Sequence, residues 1–104
     1  MRTCYVDEGS RSIADLCDYY GKGMLLTRIN VPQPVRGRGH ARDLLARILR
    51  DADEEGVTLY LEILPSGGLT YYELEGWYLR AGFRCVVEGF YRRKPQKRSS
   101  QKRP

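Results

Sequence analysis

At 104 residues the chain has the length of one domain, and 41% hydrophobic residues are enough for one modest core. Seven of its 18 lysines and arginines lie in residues 92–104, which hold no acid, so the other 11 face all 13 carboxylates and residues 1–91 are mildly acidic. There is no run of about eighteen apolar residues, and Met1–Tyr5 is followed at once by Asp7 and Glu8; neither a membrane span nor a secretory signal fits, and the expected location is the cytoplasm.

In chain order, Thr3 to Val6 reads as a short strand. Ile13, Leu16, Cys17 and Tyr20 recur at i, i+3, i+4 and i+7, which predicts an amphipathic helix over 12–20 stopped by Gly21 and Gly23. Met24 to Val31 reads as a strand closed by Pro32 and Pro34. A helix over 39–55 follows, with Ala41, Leu44, Leu45, Ile48, Leu49 and Ala52 on one face and Gly56 as its stop. Val57 to Leu64 reads as a strand, with Leu59, Leu61 and Ile63 on one face and Thr58, Tyr60 and Glu62 on the other. The turn Pro65-Ser66-Gly67-Gly68 leads to a helix over 69–80, where Leu74, Trp77, Tyr78 and Ala81 share a face. Gly82 ends it before a strand from Phe83 to Tyr91. Strands alternating with helices predict an α/β (α+β) domain with one sheet over 1–91. Residues 92–104, rich in Ser, Gln and Pro, read as a basic, disordered tail able to make salt-sensitive contacts with nucleic-acid phosphates.

Cys4, Cys17 and Cys85 are far apart and a single histidine, His40, accompanies them, so no metal set is expected and the thiols read as reduced and buried or half-buried. The chemistry-bearing segment is Arg36-Gly37-Arg38-Gly39-His40-Ala41 between strand and helix. Glycines without a Cβ let main chain approach a ligand, and the unpaired N–H groups of a helix's first turn favour an anion. Here His40 matters more through its N–H than through its ring. The segment is not a Gly-x4-Gly-Lys-Ser/Thr loop, since spacing and lysine are both missing. As a dinucleotide fingerprint it lacks the third glycine, with Arg42 in its place, and too little chain follows Glu62 to complete a doubly wound sheet.

The same residues resemble the acetyl-coenzyme A loop of the GNAT N-acetyltransferase superfamily, Arg/Gln-x-x-Gly-x-Gly/Ala. Two further segments support the resemblance, Leu59-Tyr60-Leu61-Glu62-Ile63 and Trp77-Tyr78-Leu79-Arg80-Ala81-Gly82-Phe83, in the family's order and covering roughly Met24 to Tyr91. The resemblance implies a mixed central sheet flanked by helices and acetyl transfer from acetyl-CoA to a primary amine on a protein or small molecule. It implies pyrophosphate on Arg36, Gly37, Arg38, Gly39, His40 and Ala41, and pantetheine along Ile29 and Val31 in a gap beside the Glu62 strand. Tyr78 corresponds to the general acid and Glu62 to the general base. The chain before Met24 is short for the family, which leaves the acceptor unspecified and leaves an edge that a second subunit, in a homodimer, would cover. The alternative reading is an inactive coenzyme A-fold module that binds nucleic acid or nucleoprotein through the basic tail.

Overall fold

The computed structural model describes residues 1–65 and 68–96. Its strands are β1 (Cys4–Asp7), β2 (Ser12–Asp18), β3 (Met24–Asn30), β4 (Leu59–Glu62), β5 (Arg84–Val87) and β6 (Phe90–Arg93), in one sheet of order β1-β2-β3-β4-β6-β5. Neighbours are antiparallel except β3 and β4, which are parallel and joined through α1 (His40–Glu55); α2 (Tyr71–Arg80) joins β4 to β5. This is the expected mixed sheet with helices.

Both helices pack on one face. Leu44, Leu45, Ile48 and Ala52 of α1 and Leu74 of α2 are buried with Tyr5, Ala14, Leu16, Leu26, Leu59, Leu61, Ile63, Phe83 and Tyr91 in one core. β1 is tied to α1 by Tyr5, whose hydroxyl donates to Asp51 Oδ2 at 2.6 Å. The alternation expected along β4 holds: Leu59, Leu61 and Ile63 face the helices, while Tyr60 and Glu62 face the opposite side, on which no helix lies among the described residues. Parallel pairing starts where Met24 N–H donates to Thr58 O at 3.0 Å. A Cβ on the preceding Gly23 would sit 2.1 Å from that carbonyl, so only glycine allows the two backbones to meet there.

The helix predicted over 12–20 does not form, because Ser12–Asp18 is the strand β2. The helical spacing weighed only the large apolar residues and passed over the small ones that alternate with Leu16. Ser12, Ala14 and Leu16 alternate into the core, and Ser12 is tolerated there because its hydroxyl is 2.7 Å from Ser10 Oγ. Cys17 faces outward and Tyr20 occupies a turn. The strand predicted from Phe83 to Tyr91 is likewise two strands, folded at Glu88–Gly89 with Gly89 at φ 84°. Neither helix spacing nor strand alternation announces that hairpin. All three cysteines are exposed rather than buried, since they fall on outward positions of β1 and β2 and on the sheet-edge strand β5.

The first residues of the basic segment belong to the fold, as Arg92 and Arg93 complete β6. Arg93 is 4% exposed, bonded bidentately to Asp53 of α1 (2.8 and 3.1 Å) and donating to Ala81 O at 2.8 Å. Residues 97–104, and Ser66 and Gly67 of the expected turn, lie outside the described residues. No helix among the described residues is long and apolar enough to cross a membrane.

Candidate active site

β3 and β4 are paired only at their starts, as Met24↔Leu59, Leu25↔Tyr60 and Leu26↔Leu61. Beyond this the strands part company. β3 continues to Asn30 with β2 as its neighbour, whereas Glu62 pairs with Phe90 of β6 and Ile63 N–H donates to Gly89 O at 2.9 Å. A gap therefore opens between the C-terminal ends of two parallel strands, the place where ligands enter sheets of this kind. Ile29 and Val31 border that gap on the β3 side.

Past the gap, the chain makes a 3-10 turn over Gln33–Val35 and runs through Arg36 to Gly39 into α1. Gly37 and Gly39 sit at φ 83° and 87°, left-handed values that glycine adopts without strain. Gly39 is the N-cap and supplies no side chain, and the first intrahelical bond is Asp43 N–H to Gly39 O at 3.0 Å. The N–H groups of His40, Ala41 and Arg42 consequently have no acceptor within the helix and point, with the positive dipole end, toward the loop. The His40 ring is turned aside, its Nδ1 3.4 Å from Asp7 Oδ2, so its main chain is what this site offers. Hydrogen bonding from Ser10 leads the causes that hold the Asp7 carboxyl below its usual range.

Three guanidinium groups surround the loop. Arg36 Nε donates to Val31 O at 2.9 Å, which staples the loop to the end of β3, and Arg38 is exposed. The third, Arg42, carries no assignment from the sequence, yet a Cβ on Gly39 would lie 2.8 Å from its Nη2, so its head overhangs the loop. One helical turn past the glycines on a surface-facing position was the available signal. Arg42 also lines a groove of about 440 Å³ between the helices, with Leu45 and Leu49 of α1, Trp77 and Arg80 of α2, and Ala81 just past it. An apolar floor with cations at the rim suits a nucleotide-bearing ligand whose phosphates lie at the helix start.

Tyr78 lies on the helix-covered side of the sheet, in edge contact with Phe83 at 5.6 Å between ring centroids and 5.0 Å from the Trp77 ring. Burial pushes its hydroxyl up to about 12, so it is a neutral phenol throughout the physiological range. Glu62 is exposed on the opposite side at the mouth of the gap. The structure thus gathers Gly37 to Ala41 at the helix start and sets Glu62 and Tyr78 on opposite sides of the sheet. A second carboxylate escaped notice in the sequence: Glu75 of α2 accepts from the buried Tyr91 hydroxyl, which is 3.1 Å from that of Tyr71. The Glu75 hydrogen bond, the largest cause, pushes the Tyr91 hydroxyl far upward, and the trio pins α2 to β6. Among the described residues no three His, Cys, Asp or Glu side chains gather to hold a metal.

The chain matches no protein-family model and no curated protein sequence. Its likeness is to solved structures, among them an acetyltransferase of the GNAT family from Staphylococcus aureus, at TM-score 0.62 and 15% identity over 88% of this chain and 65% of that one. This chain has the GNAT fold. Within the same fold, the ribosomal-protein-S18-alanine N-acetyltransferase from Escherichia coli superposes at TM-score 0.66 and 18% identity over 85% of this chain and 64% of that one. Anti-CRISPR protein AcrVA5 does so at TM-score 0.68 and 13% identity, over 88% of this chain and 98% of that one. The chain spans less than two thirds of either acetyltransferase but nearly all of AcrVA5.

Proposed function

We propose that this chain is an acetyl-CoA-dependent N-acetyltransferase acting on a primary amine by direct attack. The observation that carries the reading is the parting of β3 from β4 next to a glycine loop whose helix start offers three unpaired N–H groups. Gly37, Gly39, His40, Ala41 and Arg42 would hold the pyrophosphate through main chain, with Arg36, Arg38 and the Arg42 head as cations. Ile29 and Val31 would line the pantetheine path. The bound coenzyme supplies an activated acetyl thioester. For a charged ammonium, Glu62 takes the proton, freeing the nitrogen lone pair for attack at the thioester carbon. As the carbon–sulfur bond breaks, Tyr78 donates its proton to sulfur, and the second proton, shed by the acylated nitrogen as the intermediate collapses, restores the phenol.

The test is direct: incubate the protein with acetyl-CoA and a panel of amines and peptides, and follow thiol release and acetylated products by mass spectrometry. Absence of both would reject the reading. Binding is tested separately. Gly39→Glu forces a side chain into a left-handed backbone and an anion onto the phosphate site, so calorimetry should show acetyl-CoA affinity reduced by at least about 100-fold, against a smaller loss for Arg36→Ala. Unchanged affinity would remove the loop from the site.

A second reading, contact with nucleic acid, draws support from Arg84, Arg92 and Lys94, which line a groove of about 340 Å³ with Pro95 and Gln96. Truncation must begin after Gln96, because removing Arg93 would strip Asp53 of its partner. Deleting residues 97–104 is expected to leave turnover of a small amine intact and to weaken salt-sensitive RNA or DNA binding. Four of the seven cations of 92–104 go with that deletion, so the slope of log affinity against log salt should fall by about 3–4.

A further inference from the structure

The side of the sheet away from the helices bears a strip of four aromatic rings leading to Glu62. Tyr60 stands two residues before Glu62 on the same face of β4, and Phe90 of β6 is paired directly across from Glu62. Tyr19, just past β2, lies 4.4 Å from the Tyr60 ring and 5.6 Å from the Phe90 ring between centroids, and Tyr20 touches Tyr19 edge-on at 4.9 Å. Tyr60 and Phe90 are near parallel at 6.0 Å. The rings come from three parts of the chain, the turn after β2, β4 and β6.

The turn itself is informative. Lys22 N–H donates to Tyr19 O at 2.8 Å, and the two central residues, Tyr20 and Gly21, have φ of 53° and 70°, as a type I′ turn requires. Asparagine or glycine is the low-cost choice at the first of these positions, and a bulky residue there is strained. The chain instead holds a tyrosine there, 83% exposed. Neither folding economy nor burial explains this residue.

Resting on the acetyltransferase reading above, we infer that this strip is the acceptor platform and that the acceptor is a long-stemmed primary ammonium, a lysine side chain projecting from a protein surface. Among the described residues no helix covers this face, so it suits a group reaching out from a larger body better than a small molecule needing enclosure. Tyrosine and phenylalanine faces attract an ammonium and pack its methylene stem. Arg92, across from Tyr60, repels a cation from the middle of the strip, while Glu62 attracts it at the mouth of the gap. Rings, cation and carboxylate together orient the amine with its nitrogen at the gap. Tyr20 and Tyr60 are specificity-determining residues in this arrangement.

Two probe peptides test the inference, one with a blocked N-terminus and a single lysine between apolar residues, the other lysine-free with a free N-terminus. The wild-type protein should acetylate the first with kcat/KM at least about 10-fold higher. Tyr20→Asn relieves the turn and keeps the fold, so its melting temperature should hold or rise while KM for the lysine peptide rises about 10-fold. Tyr60→Leu, which preserves apolar packing, should do the same, and both should bind acetyl-CoA by calorimetry as the wild type does. Preference for the free N-terminus, or an unchanged KM in both folded variants, would overturn the inference while leaving the acetyltransferase reading intact. Failure to bind acetyl-CoA at all would overturn that reading, and the inference with it.

Discussion

Replacement of Tyr78 by phenylalanine is expected to lower kcat by about 10²–10⁴ with little change in acetyl-CoA affinity. The ring contacts with Trp77 and Phe83 survive the change, so what is lost is a single hydroxyl. Because burial keeps that hydroxyl protonated up to about pH 12, the loss should be the same at pH 6 and at pH 9. Glu62→Gln should behave differently. Without a base the variant depends on the fraction of acceptor already neutral, which rises tenfold per pH unit below the amine's own pKa, about 10.4 for a lysine. Its deficit should therefore shrink with rising pH. Steady-state kinetics from pH 6 to 10 distinguish the two signatures, and wild-type rates in both variants would mean that catalysis rests on positioning alone.

The second large effect is on stability. Asp53→Ala is expected to cost about 3–5 kcal/mol, because it leaves the Arg93 guanidinium charged and buried without its carboxylate. For a domain of this size that lowers the melting temperature by at least about 10 °C. Replacing both partners by apolar residues, Asp53→Leu with Arg93→Met, should recover most of the loss. The pair also sets the acid limb of stability. Burial tends to raise the Asp53 carboxyl, but hydrogen bonds from Arg93 and from Gln96 N–H, with the Arg93 charge, outweigh it and hold the group below its usual range. A carboxyl depressed in the folded state contributes fully above its unfolded value of about 3.9 and loses that contribution as pH falls toward the folded value. Denaturant midpoints should accordingly be flat from pH 7 to 5 and fall below about pH 4. In Asp53→Ala that acid-limb fall should be shallower. A melting temperature within 2–3 °C of wild type would show the pair to be dispensable.

Where a residue pattern is repeated over several turns or states a local rule, the chain was legible. α1 followed from six apolar residues on one face and a closing Gly56, which sits at φ 72° as a left-handed C-cap. β4 followed from strict alternation. The loop at Gly37 to Ala41 was legible because only backbone geometry and a helix start are needed to read it. The body of α2 was legible but its start was not: Thr70 and Glu73 form a reciprocal capping box, Thr70 Oγ1 accepting from Glu73 N–H at 3.2 Å and Glu73 Oε1 from Thr70 N–H at 2.9 Å. That pair places the first helical residue at Tyr71 rather than 69.

What failed was whatever depends on a partner distant in sequence. β2 is a strand because β1 and β3 flank it and α1 packs against it, facts that no spacing within residues 12–20 contains. Arg93 reads as one more cation of a basic tail until Asp53, forty residues earlier, is brought to it. Tyr19, Tyr60 and Phe90 read as scattered aromatics until the sheet order sets β6 beside β4 and the β2–β3 turn over both. The sequence by itself determined the helices, the β4 alternation, the glycine loop and the resemblance to acetyltransferases, because each is a property of contiguous residues. Only the tertiary structure decided the buried Asp53–Arg93 pair and the aromatic strip. Both are contacts between segments far apart along the chain, and chain order alone does not specify which segments meet.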